Sequence, residues 1–161
     1  MKKLLLLLMF VVVGMSANAQ KRYDYDKITA LKDFAEEADK MREKKMPMLV
    51  IFSSPYCIYC EKIIHNHIPK LEKDPRFAGK VLFRNVDFDN PQSMMVDEEG
   101  EFVTIKEYSD KYDVTYFPEI IFLDADGKEL SKKIQGYDGD VETAKLLENA
   151  LLESMKKLGA S

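Results

Sequence analysis

Cysteine is scarce in this chain: only Cys57 and Cys60 occur among 161 residues. With no further thiol, no second disulfide can form within the chain. A bridge over two intervening residues also restrains almost nothing in the unfolded state, because the constraint grows with loop length. A purely structural staple is therefore a poor use of the pair, which leaves redox or metal chemistry. Tryptophan is absent, and there are only two histidines and seven glycines. No glycine-rich phosphate loop, Ser/His/Asp set or flavin fingerprint is visible, and no cofactor is expected. Beyond the start of the chain no apolar run approaches the roughly twenty residues that span a bilayer as a helix. Repeats, low-complexity tracts and Pro/Gly/Ser linkers are missing too, so one domain is the simplest organisation.

What is present begins with an apparent export signal. Lys2 and Lys3 precede an unbroken apolar stretch from Leu4 to Val13, and Ala17-Asn18-Ala19 puts small residues where a signal peptidase cuts. Cleavage is predicted before Gln20, giving a signal peptide over 1–19 and one domain over 20–161, placed in the periplasm or secreted. The apolar stretch is about ten residues, too short to span, and the mature chain is expected not to cross a membrane. The signal holds two of the 24 basic residues and no acid, leaving 22 against 28 acidic residues, a net charge of −6. A negative surface without clusters argues against nucleic acid or an anionic membrane as partner.

Apolar residues recur at helical spacing from Ile28 to Lys44, and Pro47 then introduces a buried strand over 48–53. The segment from Cys57 through Lys70 reads as a helix that Pro69 should kink or end. Val81 to Val86 reads as a second strand, and the acidic, turn-rich residues 87–103 as a loop. Thr104 with Glu107 fits a capping box opening a short helix through Tyr112. Glu119 to Leu123 is a further strand, and Asp126-Gly127 a hairpin turn into Glu129 to Ile134. Asp138 or Asp140 can cap a last helix, whose apolar stripe runs from Val141 to Leu158. This order predicts an α/β fold, a mixed central sheet with helices on both faces.

Cys57 and Cys60 lie between the strand and the helix, where an isolated Cys-x-x-Cys reads as a redox motif. Disulfide exchange needs a thiolate. A cysteine at a helix start faces unpaired backbone N–H groups and the positive end of the helix dipole. Cys57 is thus the expected attacking thiol, and Cys60, one turn in, the resolving thiol. Competing chemistries are weaker. On a helix, His65 lies about 140° around from Cys60 and His67 some 10 Å along the axis, a poor start for a zinc site. Covalent haem attachment needs a histidine where Glu61 stands. A copper-binding or metal-delivery module using the same cysteines, with Met46, Met48, Met94 and Met95 as soft ligands, is the alternative from another class.

The chain resembles thioredoxin-fold proteins over residues 26–158. The resemblance is carried by the strand–Cys57-x-x-Cys60–helix unit, by Val114-Thr115-Tyr116-Phe117-Pro118 before a strand, and by Asp126-Gly127 followed by Gly136 and a terminal helix. Within the fold it is most similar to exported thioredoxin-like proteins of the SoxW type, through Lys44-Lys45-Met46-Pro47, Asp97 to Gly100, and Gly136-Tyr137. That likeness implies a thiol–disulfide oxidoreductase acting on protein or small-molecule disulfides, with disulfide-containing proteins as partners and a membrane electron-donor protein to recharge it. A reductase is favoured over an oxidase, since residues 87–103 are short for the helical insertion of periplasmic oxidases, and no dimerisation domain of the isomerase kind remains.

The resemblance also implies a cis peptide at Phe117-Pro118 beside the cysteines, leaving the backbone before it free to pair with an extended substrate. Tyr56, Ile58 and Tyr59 join Phe117 and Pro118 as candidate substrate contacts, although Tyr56 reads equally as a rim aromatic without specific role. Ile51 stands where thioredoxins carry a buried acid, so no general base is assigned. Arg84 is expected on the surface.

Overall fold

The computed structural model describes residues 21–160; the expected signal peptide lies outside the described residues. The elements are β1 Thr29–Ala30, α1 Phe34–Lys44, β2 Met48–Ser53, α2 Ile58–Lys62, a π-helical turn Ile63–His67, α3 Ile68–Lys73, β3 Leu82–Asp87, β4 Met94–Val96, β5 Phe102–Thr104, α4 Ile105–Lys111, β6 Glu119–Leu123, β7 Ile134–Gln135 and α5 Asp140–Leu158. Five strands form one sheet in the order β1-β3-β2-β6-β7. The first three are parallel; β6 and β7 run antiparallel to their neighbours.

All six residues of β2 are buried, because the strand is central and both of its faces are covered. Leu49 and Ile51 pack with α2, α3 and α5; Met48, Val50 and Phe52 pack with α1 and α4. The alternation of strand side chains thus feeds two cores from one unbroken apolar run. The helices-on-both-faces, mixed-sheet expectation holds.

Five local expectations are revised. Helix α1 begins at Phe34, not near Ile28. The Asp33 side chain accepts from Glu36 N–H at 2.8 Å and caps it, while Thr29 and Ala30 pair with Arg84 and Asn85. Ile28 and Leu31 would share one helix face, but they enter opposite cores. Residues 87–103 are more than a loop: β4 and β5 form a hairpin closed by Asp97, whose Oδ1 accepts from the Glu99 and Glu101 amides at 2.9 Å each. Met95 is buried there, whereas Met94 is exposed.

Of the two outcomes expected at Pro69, a kink or an end, the end does not occur; the helical run is interrupted by the π-turn just before it. The Ile68 N–H reaches back to Ile63 O, and the wider turn brings Pro69 to the first turn of α3, where its missing N–H is not needed. Finally, neither Asp138 nor Asp140 caps α5; Gly139 precedes it without a side-chain cap.

The capping box at Thr104 and Glu107 forms as expected. The Asp126-Gly127 hairpin also forms, with Gly127 at φ +73° as the turn requires. Its return strand is broken, however: Leu123 bridges Glu129 and Ile120 pairs with Ile134. Residues 131–133 bulge between these pairings, an interruption that redirects side chains.

Candidate active site

Cys57 and Cys60 are joined in a disulfide, with Cα atoms 5.3 Å apart. Strand β2 ends at Ser53, and Cys57 is the N-cap of α2, its Sγ accepting from Cys60 N–H at 3.1 Å. The same amide, with the unpaired N–H groups of the first turn, is placed to stabilise a Cys57 thiolate once the bond is reduced. The sulfurs are not equivalent. Cys60 is 0% exposed and belongs to the core with Ile51, while Cys57 is only partly buried. This asymmetry suits an outer sulfur that meets a partner and an inner one that closes the ring.

Tyr56, Ile58 and Tyr59 are exposed around Cys57. Phe52 pairs with Glu119 across the sheet, so Pro118 leaves it at the same end as Ser54 to Cys57. The Phe117-Pro118 peptide is cis. Pro118 is buried, Tyr116 is exposed, and the Phe117 ring packs on Phe88 with centroids 5.4 Å apart. Cys57, Cys60 and the five candidate substrate contacts therefore occupy one end of the sheet.

Tyr25 and Asp87, at the same end, were not anticipated. The Tyr25 hydroxyl donates to Ser54 O at 2.6 Å and to Cys57 O at 3.3 Å, tying down the strand-to-helix turn; burial pushes its pKa up. Asp87 pairs in register with Ser53. Its Oδ1 is buried without a partner, and burial raises its carboxyl pKa. Ile51 is fully buried. Arg84 is not a surface group: it makes a two-pronged pair with Glu37, at 2.5 Å from Nε and 2.7 Å from Nη2, on the α1 side of the sheet.

The dipeptide between the cysteines is tied to the last helix. Tyr59 stacks on Tyr137 at 5.3 Å, with Lys62 Nζ over both rings. The Tyr137 hydroxyl donates to Asp140, whose Oδ1 lies 3.4 Å from His67 Nε2. His67 is buried, and that burial, partly opposed by Asp140, lowers its pKa from 6.5. The folded protein therefore resists a proton that the unfolded chain accepts below about pH 6.5. Stability should fall as pH drops through 6.5 toward the depressed folded value, with a slope of at most about 1.4 kcal/mol per pH unit. His67→Gln should flatten that part of a urea-denaturation profile. An unchanged slope would assign it to other groups.

Among the described residues, no three His, Cys, Asp or Glu side chains are grouped to hold a metal, and no helix is long and apolar enough to cross a membrane.

A central mixed sheet with a Cys-x-x-Cys disulfide opening a helix, and a cis-proline at the same end of the sheet, defines a thioredoxin-fold protein. Residues 34–151 match the thioredoxin-like domain family, and the chain belongs to it. The chain is 32% identical over 100 residues to the disulfide bond reductase DsbH of Chlamydia pneumoniae, a match covering 62% of this chain and 58% of that relative's length. Among solved structures it is similar to a DsbH oxidoreductase, with 23% identity, a TM-score of 0.55, and 78% of this chain and 85% of that one covered. It is also similar to oxidised thioredoxin O2 of Arabidopsis thaliana, with 21% identity, a TM-score of 0.50, and coverage of 80% and 97%. These two structural likenesses speak to the fold.

Proposed function

We propose that this chain is an exported thiol–disulfide oxidoreductase that reduces disulfides in proteins. The observation that carries the reading is the unequal pair: Cys57 at the helix start with its sulfur partly open, Cys60 sealed beneath it. In the reduced protein the Cys57 thiolate attacks one sulfur of a substrate disulfide, and the other sulfur leaves as a thiolate that takes up a proton. The Cys60 thiolate then attacks Cys57 Sγ and expels the second substrate sulfur, which is protonated in turn. Two electrons pass to the substrate, and the Cys57–Cys60 bond re-forms. A dithiol donor restores the pair by the reverse exchange. By resemblance that donor is a membrane protein passing electrons outward.

Direction is supported by the likeness to the Chlamydia pneumoniae relative, a disulfide bond reductase. Export is supported by Lys2, Lys3 and the Leu4 to Val13 stretch before Ala17-Asn18-Ala19. The SoxW-type likeness rests on the Lys44-to-Pro47 lead, the Asp97-to-Gly100 turn and Gly136-Tyr137. Alkylation of thiols in intact cells tests the direction. A reductase is expected to be caught mostly with free Cys57 and Cys60, and a predominantly disulfide form would point to an oxidant instead.

A further inference from the structure

Strand β6 begins with a charge in an apolar company. Glu119 follows Pro118, is 0% exposed, and leads a strand whose five residues are all buried. Burying a lone carboxylate is costly, so its partners define its purpose. Glu119 Oε1 lies 2.8 Å from Lys133 Nζ. Its Oε2 accepts from Gln135 Nε2 at 3.3 Å and from the Thr115 backbone N–H at 3.4 Å. Lys133 stands at the end of the bulge that interrupts the return strand, and its ammonium also donates to Tyr112 O at 2.8 Å. One ion pair therefore grips the segment between α4 and β6 at two points, Tyr112 and Thr115. Pro118 O is held separately by Gly136 N–H at 2.8 Å. Between these fastenings neither the N–H nor the carbonyl of Phe117 has a partner among the described residues.

We infer that Glu119, anchored by Lys133, is a positioning residue for docking of an extended peptide disulfide. The pair holds Thr115 to Pro118 so that the Phe117 backbone groups are presented, unpaired, to a strand-like substrate beside Cys57. This inference rests on the disulfide-exchange reading above and on the extended substrate that the resemblance implies; what it adds is the ion pair that fixes the docking segment. Backbone pairing of this kind draws its affinity from main-chain hydrogen bonds and depends on the host segment being held in place. A small disulfide lacking a peptide backbone makes no such contact, and its exchange with Cys57 is independent of Glu119.

Glu119→Gln keeps the shape of the side chain and an acceptor oxygen while removing the charge. For an oxidised pair of extended nonapeptides, KM is expected to rise tenfold or more with kcat retained. For dithiobis(nitrobenzoate), the second-order rate should stay within twofold of the parent, as should the equilibrium of the Cys57–Cys60 couple with glutathione. An equal loss on both substrates, or no loss on the peptide, would overturn the inference. Amide hydrogen exchange of the unaltered protein gives a second reading that needs no variant: Thr115 should exchange more slowly than Tyr116 and Phe117, and equal exchange of all three would count against the clamp. A parent protein inactive on both disulfides would sink the exchange reading itself. An active parent whose selectivity Glu119→Gln leaves unchanged would sink only this proposal.

Discussion

Replacing Cys60 with serine should convert the protein into a trap. Cys57 remains at the helix start with its stabilising N–H groups, so attack on a substrate disulfide proceeds. Without the Cys60 sulfur nothing within the chain expels the substrate, and a Cys57–substrate mixed disulfide accumulates. Non-reducing electrophoresis of cells expressing Cys60→Ser should show high-mass species that collapse on reduction, and their partners identify the substrates. Cys57→Ser should form none and lower exchange to the uncatalysed background, because the remaining thiol is fully buried. Mixed disulfides of equal yield from Cys57→Ser would reverse the two roles.

The second large effect concerns stability. Lys133→Ala leaves Glu119 fully buried without its counter-ion. Breaking one side of a fully buried pair costs about 3–5 kcal/mol. With the Lys133 side chain 26% exposed the loss falls at the low end, still a large part of the roughly 5–15 kcal/mol that holds a domain together. For a domain of this size the melting temperature should drop by roughly 10 °C. A change below about 1 kcal/mol, the range of exposed pairs, would show that Glu119 is solvated after all.

The same pair makes an alkaline prediction. The Glu119 carboxylate raises the Lys133 pKa above its ordinary 10.5. A cation favoured by folding contributes fully below its unfolded pKa, so this contribution is intact at neutral pH. It is lost as pH climbs above 10.5 through the raised folded value. Lys133→Ala should show a shallower decline in that window, since only the contribution of this pair is removed.

Much of this arrangement is legible in the residues. Met48 to Phe52 announces a strand buried on both faces, Cys57 falls where a helix must start, and Thr104 with Glu107 writes its own cap. Where the reading failed, two patterns coincided or tertiary contacts decided. Ile28 and Leu31 fit a helical period as well as they fit an edge strand. Asp33, a strong N-cap residue, was the available clue to the later helix start. The strands β4 and β5 are three residues each, too short for alternation to emerge among acidic neighbours. Pro69 breaks a regular α-helix, but a π-turn supplies the slack, and nothing local to Pro69 signals one. Glu119 was visible as a charge leading an apolar strand. That Lys133 answers it depends on a bulge formed only once β7 has found β6.

Both outermost strands of the main sheet, β1 and β7, are only two residues long. A foreign chain seeking to extend the ladder meets almost no backbone to copy, the usual natural defence against edge-to-edge association. On the proposed reading, visiting polypeptides are admitted at one loop alone, while the borders of the sheet stay closed to uncontrolled stacking.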